Sequence, residues 1–329
     1  MSSGKRNIAI VAGGDSSEYD ISIGSANTIL SSINPDKYNT HIVEIKKSGW
    51  EAWGPHNQRY EINRHDFSTC LNGSKISFDG VINAIHGTPG EDGILQAYFD
   101  LIGIPYTGCS AFCSSLTFNK FACNNYLAQA EIPVAPSMMM RRGEIINHQN
   151  IESKIAYPCF VKPNNGGSSC GTSRVDEPGE IEQALLKAFR EDSEVLIEKF
   201  LPGREFSCGM LRTSRETHIF PITEIITRNK FFDYDAKYTP GVSDEITPAS
   251  LPEKTARSIM DLSNTIANLL HCRGLVRFDY ILIGQTPWFL EVNTVPGMSS
   301  QSIVPQQAQA YGMSLRDLYD LQLEDTLPV

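Results

Sequence analysis

The chain has 329 residues, 41% hydrophobic and 20% charged, which is enough apolar material for two or three packed domains and too much for a disordered chain. Asp plus Glu number 38 against 28 Lys plus Arg, so the net charge is −10, and nucleic-acid backbones and anionic membrane surfaces are poor partners for it. The eight cysteines (Cys70, Cys109, Cys113, Cys123, Cys159, Cys170, Cys208 and Cys272) include no C-x-x-C pair and no zinc-finger spacing, so free thiols in a reducing compartment are expected.

The first block spans residues 1–108. Ile8–Ala12 reads as a buried strand, Gly13-Gly14 as a turn, and a helix is expected from near Glu18. This opening is that of a doubly wound α/β unit. The apolar run is too short for a secretion signal, and nowhere do about 18 apolar residues run together. A cytoplasmic protein with no membrane partner is expected. Val81–Ile85 is a second buried strand, and His86–Gly93 forms the loop at its carboxyl end, where ligands bind in open α/β sheets.

The second block spans residues 109–199. A helix is expected over Phe118–Gln129, strands over Pro158–Lys162 and Val195–Lys199, and a small-residue loop over Pro163–Gly171. Glu180–Arg190 reads as an amphipathic helix with Ile181, Leu185 and Phe189 on one face. The third block spans residues 200–329. Its segment Arg228–Pro248 lacks periodicity and carries Phe231-Phe-Asp-Tyr-Asp-Ala-Lys-Tyr238, which suggests a lid.

The strongest chemical signal lies in Val276–Ile283 and Pro287–Asn293. In the first segment Val276, Phe278, Tyr280 and Leu282 share a face, with Arg277 and Asp279 opposite. In the second, Trp288, Leu290 and Val292 share a face, with Glu291 and Asn293 opposite. A hairpin with a three-residue loop sets 283 against 287, 279 against 291 and 277 against 293. Two carboxylates then oppose each other and repel, unless a cation lies between them. Hard oxygen ligands on rigid strands suit Mg2+ with phosphate, and a solvated polar face is the alternative. Val161–Gly171 is a lysine followed by a Gly/Ser/Asn loop, either an anion cradle or a plain surface hairpin; it is not a Walker loop. In Val11–Glu18 the acid at the helix start suits an ammonium better than a pyrophosphate, and Ser16 or Ser17 could simply cap the helix.

Taken in order, these motifs resemble those of the D-alanine–D-alanine ligases of the ATP-grasp superfamily. The matching residues are Gly13–Glu18, His86–Gly93, Asn119-Lys120, Lys162-Pro163 with Ser168-Ser169, Glu198-Lys199, Tyr234–Tyr238, Arg277–Asp279 and Glu291–Met298. The resemblance implies an α/β, three-domain ATP-grasp fold with an N-terminal doubly wound, Rossmann-like domain. That domain would bind substrate (1–108), with a central ATP-grasp subdomain (109–199) and a C-terminal domain carrying metal site and lid (200–329). It implies ATP and D-alanine as substrates, an acyl phosphate intermediate, and two Mg2+ ions per site, or Mn2+ in their place. A homodimer in the cytoplasm, serving peptidoglycan synthesis, is also implied.

The resemblance assigns roles as well. Lys120, Lys162 and Ser169 would meet the ATP phosphates, with Glu198, Lys199 and Leu201 at the adenine and Glu205 at the ribose. Asp279, Glu291 and Asn293 would hold the metal ions. Glu18 would take the ammonium of the first D-alanine, with His86 beside it. Arg277 and the Gly297 N–H would serve the oxyanion, and Ser302 the second carboxylate. Lys237 would reach the transferring phosphate from the lid. Tyr238 would close the site through Ser168 and Glu18. Related D-alanine–D-lactate ligases tend to carry histidine where this chain has Tyr238, so D-alanine is expected as nucleophile over D-lactate or D-serine. Another ATP-grasp carboxylate–amine ligase is a further alternative. Cys170 stands where the family commonly has an aliphatic residue, either as a valine substitute or as an oxidisable thiol.

Overall fold

The computed structural model describes residues 4–16, 18–71, 73–227 and 242–328. The N-terminal region comprises β1 (Arg6–Gly13), α1 (Tyr19–Ser32), β2 (Tyr38–Lys46), β3 (Gly49–Trp53), β4 (Arg59–Asn63), β5 (Ser68–Leu71), β6 (Ser74–Ile76), β7 (Gly80–Asn83) and α2 (Ile94–Ile102). Its sheet has the order β6-β5-β4-β3-β2-β1-β7. β1 runs parallel to β2 and β7, and β2 to β6 form an antiparallel meander. From Ile8 to Ala12 β1 is an unbroken apolar run because both its faces are covered there. Ile8, Ile10 and Ala12 join a core with α1, while Ala9 and Val11 join a second core with Leu95 and Phe99 of α2.

Next come α3 (Ala111–Phe118), α4 (Lys120–Gln129), β8 (Ser137–Arg141), α5 (His148–Lys154), β9 (Cys159–Pro163), β10 (Ser173–Val175), α6 (Ile181–Ala188) and β11 (Glu194–Lys199). The strands form an antiparallel sheet, β10-β9-β11-β8, and Ile151 of α5 with Ile181 and Leu185 of α6 pack into its core. The expected helix over Phe118–Gln129 is corrected. Asn119 is extended (φ −85°, ψ 97°) and separates α3 from α4. Its side chain accepts from the Ala122 N–H, so a polar residue expected in a helix interior is a cap.

The last part comprises β12 (Arg204–Arg212), β13 (Thr217–Ile219), β14 (Thr223–Thr227), β15 (Ser243–Ile246), α7 (Glu253–Leu269), β16 (Gly274–Ile283), β17 (Thr286–Asn293), α8 (Ile303–Tyr311) and α9 (Leu315–Thr326). The sheet order is β15-β14-β12-β16-β17, with β13 beside β12. Its core takes Phe206, Val276, Phe278 and Tyr280 from the sheet, Ile259 and Ile266 from α7, and Cys113, Cys123 and Leu127 from α3 and α4. Part of the expected lid is corrected, because residues 243–246 are a strand paired with β14. Lys237 and Tyr238 lie outside the described residues. No helix among the described residues is long and apolar enough to cross a membrane.

The β16–β17 hairpin keeps the two expected pairs, Arg277 with Asn293 and Asp279 with Glu291. It reaches them differently. Ile283 pairs with Thr286, so the turn is the two residues Gly284 and Gln285, with Gly284 at φ +63° as such turns require. Past the Tyr280–Phe289 pair, Leu290 is one extra residue, a bulge that restores the register at Glu291. The expected shared face of Leu290 and Val292 is thereby corrected: Val292 enters the core, and Leu290 turns outward with Glu291 to line a cavity.

Candidate active site

Two adjoining cavities lie where the three sheets meet. One, of about 820 Å3, is lined by Glu18, His86, Glu91, Arg277, Asn293, Gly297 and Ser302. The other, of about 440 Å3, is lined by Phe160, Lys162, Ser169, Glu198, Lys199, Leu201, Glu205 and Leu290. Lys120, Gly166, Gly167 and Glu291 border both. Every expected site residue among the described ones therefore lines one of the cavities, Ser168 bordering the first, except Asp279, which lies buried behind Arg277.

Glu18 stands immediately before α1 and uses no side-chain oxygen to cap it. The expected serine cap is thus reduced to one bond, the Ser16 hydroxyl accepting from the Glu18 N–H at 3.2 Å; Ser17 lies outside the described residues. The Glu18 carboxylate instead accepts from the Ser168 hydroxyl. A Cβ on Gly167 would stand 2.9 Å from Glu18 Oε2, so the 166–169 loop lies directly against the Glu18 carboxylate. Ser168 and Ser169 both hold positive φ (49° and 56°), a strained backbone of the kind that gathers at ligand-binding loops. Lys120 Nζ donates to the Gly166 carbonyl at 2.5 Å, so α4 is tied to this loop.

His86 follows the end of β7 and is 4% exposed. Its Nε2 lies 3.4 Å from the Ser25 hydroxyl, which also accepts from the Met298 N–H at 3.2 Å. Ser25 thus ties the 86–93 loop to the 294–298 loop. Burial pushes the His86 imidazole below its ordinary pKa, and Glu18 opposes the shift. Glu91 belongs to the His86–Gly93 motif, but the motif alone gives it no role. Its carboxyl accepts from the Gly87 N–H at 2.7 Å, and burial, reinforced by Glu18, pushes its pKa up to about 8.

In the second cavity Lys162 Nζ sits 2.7 Å from Glu198 Oε2, and Asn124 Nδ2 donates to the other oxygen at 3.2 Å. Both partners of this ion pair are buried, where a charge persists only if its partner and its hydrogen bonds are in place. Motif reading does not reveal Asn124, since it is an ordinary helix residue until α4 packs on β11.

At the junction, Arg277 grips Asp279 with both arms, Nε to Oδ1 at 3.0 Å and Nη2 to Oδ2 at 2.7 Å. The Ser207 hydroxyl also donates to Asp279; Ser207 is its register partner on β12, a pairing no local pattern reveals. Burial works against the Arg277 charge, but Asp279, Glu291 and Glu245 outweigh it and raise its pKa. Glu245, on the strand within the expected lid, also lines the first cavity. Arg277 neutralises one of the two opposed carboxylates, so Glu291 and Asn293 border the cavity directly with a net negative charge remaining, and Asp279 stands behind them. That donor set fits a hard divalent cation such as Mg2+ or Mn2+. Beyond it, Gly297 is packed so closely that a Cβ would meet Ser302 Oγ at 2.9 Å. The Ser302 hydroxyl stands at the start of α8 without capping it and pairs with Ser299 at 2.8 Å.

Known proteins share this arrangement of sequence and fold. A family model described as D-ala D-ala ligase N-terminus matches residues 7–109, and one described as D-ala D-ala ligase C-terminus matches residues 126–324. The chain is 49% identical over 315 residues to the D-alanine–D-alanine ligase of Phocaeicola vulgatus, covering 95% of this chain and 97% of that one. Among solved structures, it resembles the VanG D-Ala:D-Ser ligase from Enterococcus faecalis with a TM-score of 0.88 at 30% identity, covering 98% and 100% of the two chains. It also resembles the D-alanine–D-alanine ligase from Bacillus anthracis complexed with ATP, with a TM-score of 0.77 at 26% identity and coverage of 98% and 97%.

Proposed function

The chain belongs to the D-alanine–D-alanine ligase family, and on that premise we propose that its cleft joins two D-alanine molecules using ATP, yielding D-alanyl-D-alanine, ADP and phosphate for peptidoglycan precursors. The observation that carries this reading is the junction of the two cavities. Glu291 and Lys120 border both, so a γ-phosphate there faces nucleotide on one side and an amino acid on the other.

ATP would occupy the smaller cavity, with its base between Phe160 and Leu290 near Lys199 and Leu201, its ribose at Glu205, and its phosphates toward Lys162, Lys120 and Ser169. Glu198 would act on the nucleotide mainly by fixing the Lys162 ammonium. The first D-alanine would bring its ammonium to Glu18 beside His86, leaving its carboxylate directed toward the phosphate. Attack of that carboxylate oxygen on the γ-phosphorus breaks the bond to ADP and forms an acyl phosphate. The amine of the second D-alanine, its carboxylate at Ser302 and the start of α8, then attacks the acyl carbon. Arg277 and the Gly297 N–H would stabilise the negative oxygen of the tetrahedral intermediate. Collapse expels phosphate, and the amine gives up its proton. Asp279, Glu291 and Asn293 would hold Mg2+ or Mn2+, which neutralises phosphate charge when bound. Lys237 and Tyr238 complete the reading as lid residues, and a cytoplasmic homodimer completes it at the level of assembly.

Phosphate release tests this with D-alanine, D-serine and D-lactate in pairs, with and without Mg2+. Metal-dependent release with D-alanine alone is expected, exceeding that of either mixed pair at neutral pH. Faster release with D-alanine plus D-serine would move the protein to the D-Ala:D-Ser class of its structural relative. ADP formation independent of any amino acid would overturn the ligase reading.

A further inference from the structure

Away from the cleft, three cysteines that sequence spacing leaves unrelated come together. Cys109 precedes α3, Cys113 lies in its first turn, and Cys272 joins α7 to β16. Their three Sγ atoms lie within 4.8 Å of one another, and Cys113 Sγ is 3.9 Å from Cys272 Sγ although 159 residues separate them in sequence. All three are buried, at 2%, 0% and 4% exposure. The two segments are clamped by side-chain bonds to backbone carbonyls. Arg273 Nε donates to the Gly108 carbonyl at 2.7 Å, and the Cys109 thiol points at the Arg273 carbonyl at 3.4 Å. A Cβ on Gly274 would stand 2.7 Å from the Gly108 Cα, so the approach depends on glycine there.

The size of the triangle is informative. A metal centred among three sulphurs at a bond length of about 2.3 Å sets them about 4.0 Å apart. Cys113 and Cys272 stand at that spacing, and Cys109 lies within 4.8 Å of both. No imidazole or carboxylate joins the group among the described residues. Zinc seeks four ligands, whereas soft Cu(I) is satisfied by three thiolates. The Arg273 side chain, held at the Gly108 carbonyl beside the group, offsets thiolate charge. We propose that Cys109, Cys113 and Cys272 form a binding site for one Cu(I) ion, separate from the ligase centre and joining the start of α3 to the head of β16. Binding forms copper–sulphur bonds and releases the thiol protons to solvent, with no change in oxidation state.

The test uses full-length protein carrying Cys70→Ser and Cys170→Ser, which removes the two thiols outside the core. Titration with Cu(I) under anaerobic conditions is followed by near-ultraviolet thiolate absorption, against a bathocuproine chelator. One equivalent is expected, with a sulphur-only shell by X-ray absorption and a raised melting temperature. Cys113→Ala and Cys272→Ala should each weaken retention at least tenfold. Cys159→Ala, equally buried but outside the group, controls for the cavity a lost thiol leaves and should retain copper. Retention undiminished by either cluster substitution would overturn the site, as would no retention by the parent protein. If a variant fails to fold, X-ray absorption on the protein with all cysteines present decides the matter, since a shell containing nitrogen or oxygen rejects the site.

Discussion

Glu44 shows how one side chain outside the cleft can set a residue inside it. It lies on β2, 7% exposed, and its carboxylate accepts from the Tyr19 hydroxyl at 2.7 Å and from Trp53 Nε1 at 3.1 Å, with Lys46 paired to it as well. Tyr19 is the first residue of α1, so Glu44 anchors the turn that presents Glu18. Burial raises the Glu44 pKa, but the bonds from Lys46, Tyr19 and Trp53 outweigh it, and the net value is lowered. A carboxyl lowered on folding stabilises the protein above the unfolded carboxylate range, and that contribution fades as pH falls through the folded value. Glu44→Gln should therefore cost about 1–3 kcal/mol at pH 7, with the gap narrowing below about pH 4. Urea unfolding midpoints at about pH 7 and about pH 3.5, on either side of that range, measure it; an equal gap at both values would assign the loss to packing instead of charge. In the ligase assay the same substitution should raise the KM for D-alanine more than that for ATP.

At the scale of elements, the β16–β17 hairpin marks what sequence pattern can and cannot deliver. Alternation identifies both strands, and the Arg277–Asn293 and Asp279–Glu291 pairs follow from it. The turn is one residue shorter than alternation alone implies, and the bulge at Leu290 makes up that residue, so the pairs survive an incorrect loop. Strand alternation carries no mark of a bulge, because the extra residue is set by the partner strand. The same reason hides Ser207 behind Asp279, and the meeting of Cys113 with Cys272 depends on helix packing between segments far apart in the chain. By contrast Glu18, His86, Lys162 and the 166–169 loop are legible, since glycines and strand ends mark them locally. The bulge also sorts two readings of Leu290 by experiment. As a wall of the nucleotide cavity, Leu290→Ala should raise the ATP dissociation constant by roughly 5–30-fold, the equivalent of about 1–2 kcal/mol of apolar contact, and leave folding nearly intact. As a core residue beside Val292, it would cost stability and spare ATP. Calorimetric ATP titration beside a thermal melt separates the two.

Over the whole molecule, an acid excess of ten coexists with a cleft whose Lys120, Lys162 and Arg277 suit phosphate, because net charge is a sum over the surface and a cleft responds to the few charges that line it. The ends of the chain are also joined. The core on one face of β1 takes Leu318, Tyr319, Leu323 and Leu327 from the last helix region, together with Ile29 of α1. At its rim Lys37 bridges Asp320 at 2.8 Å and Glu324 at 2.9 Å, but Lys37 is 44% exposed and Glu324 54%. Such exposed pairs contribute about 0–1 kcal/mol, whereas deleting a fully buried leucine side chain costs about 2–5 kcal/mol. Leu323 is 0% exposed, so packing and not charge should hold α9 on α1. Leu323→Ala should thus lower the urea midpoint several times more than Lys37→Ala. The described site residues lie outside this contact, so well below the melting temperature both variants should keep the parent KM values for ATP and D-alanine. If Lys37→Ala proves as damaging as Leu323→Ala, the ion pairs hold the last helix in place. If Leu323→Ala shifts KM as well as stability, α9 also shapes the cleft, through its neighbour α8 and Ser302 at the head of that helix.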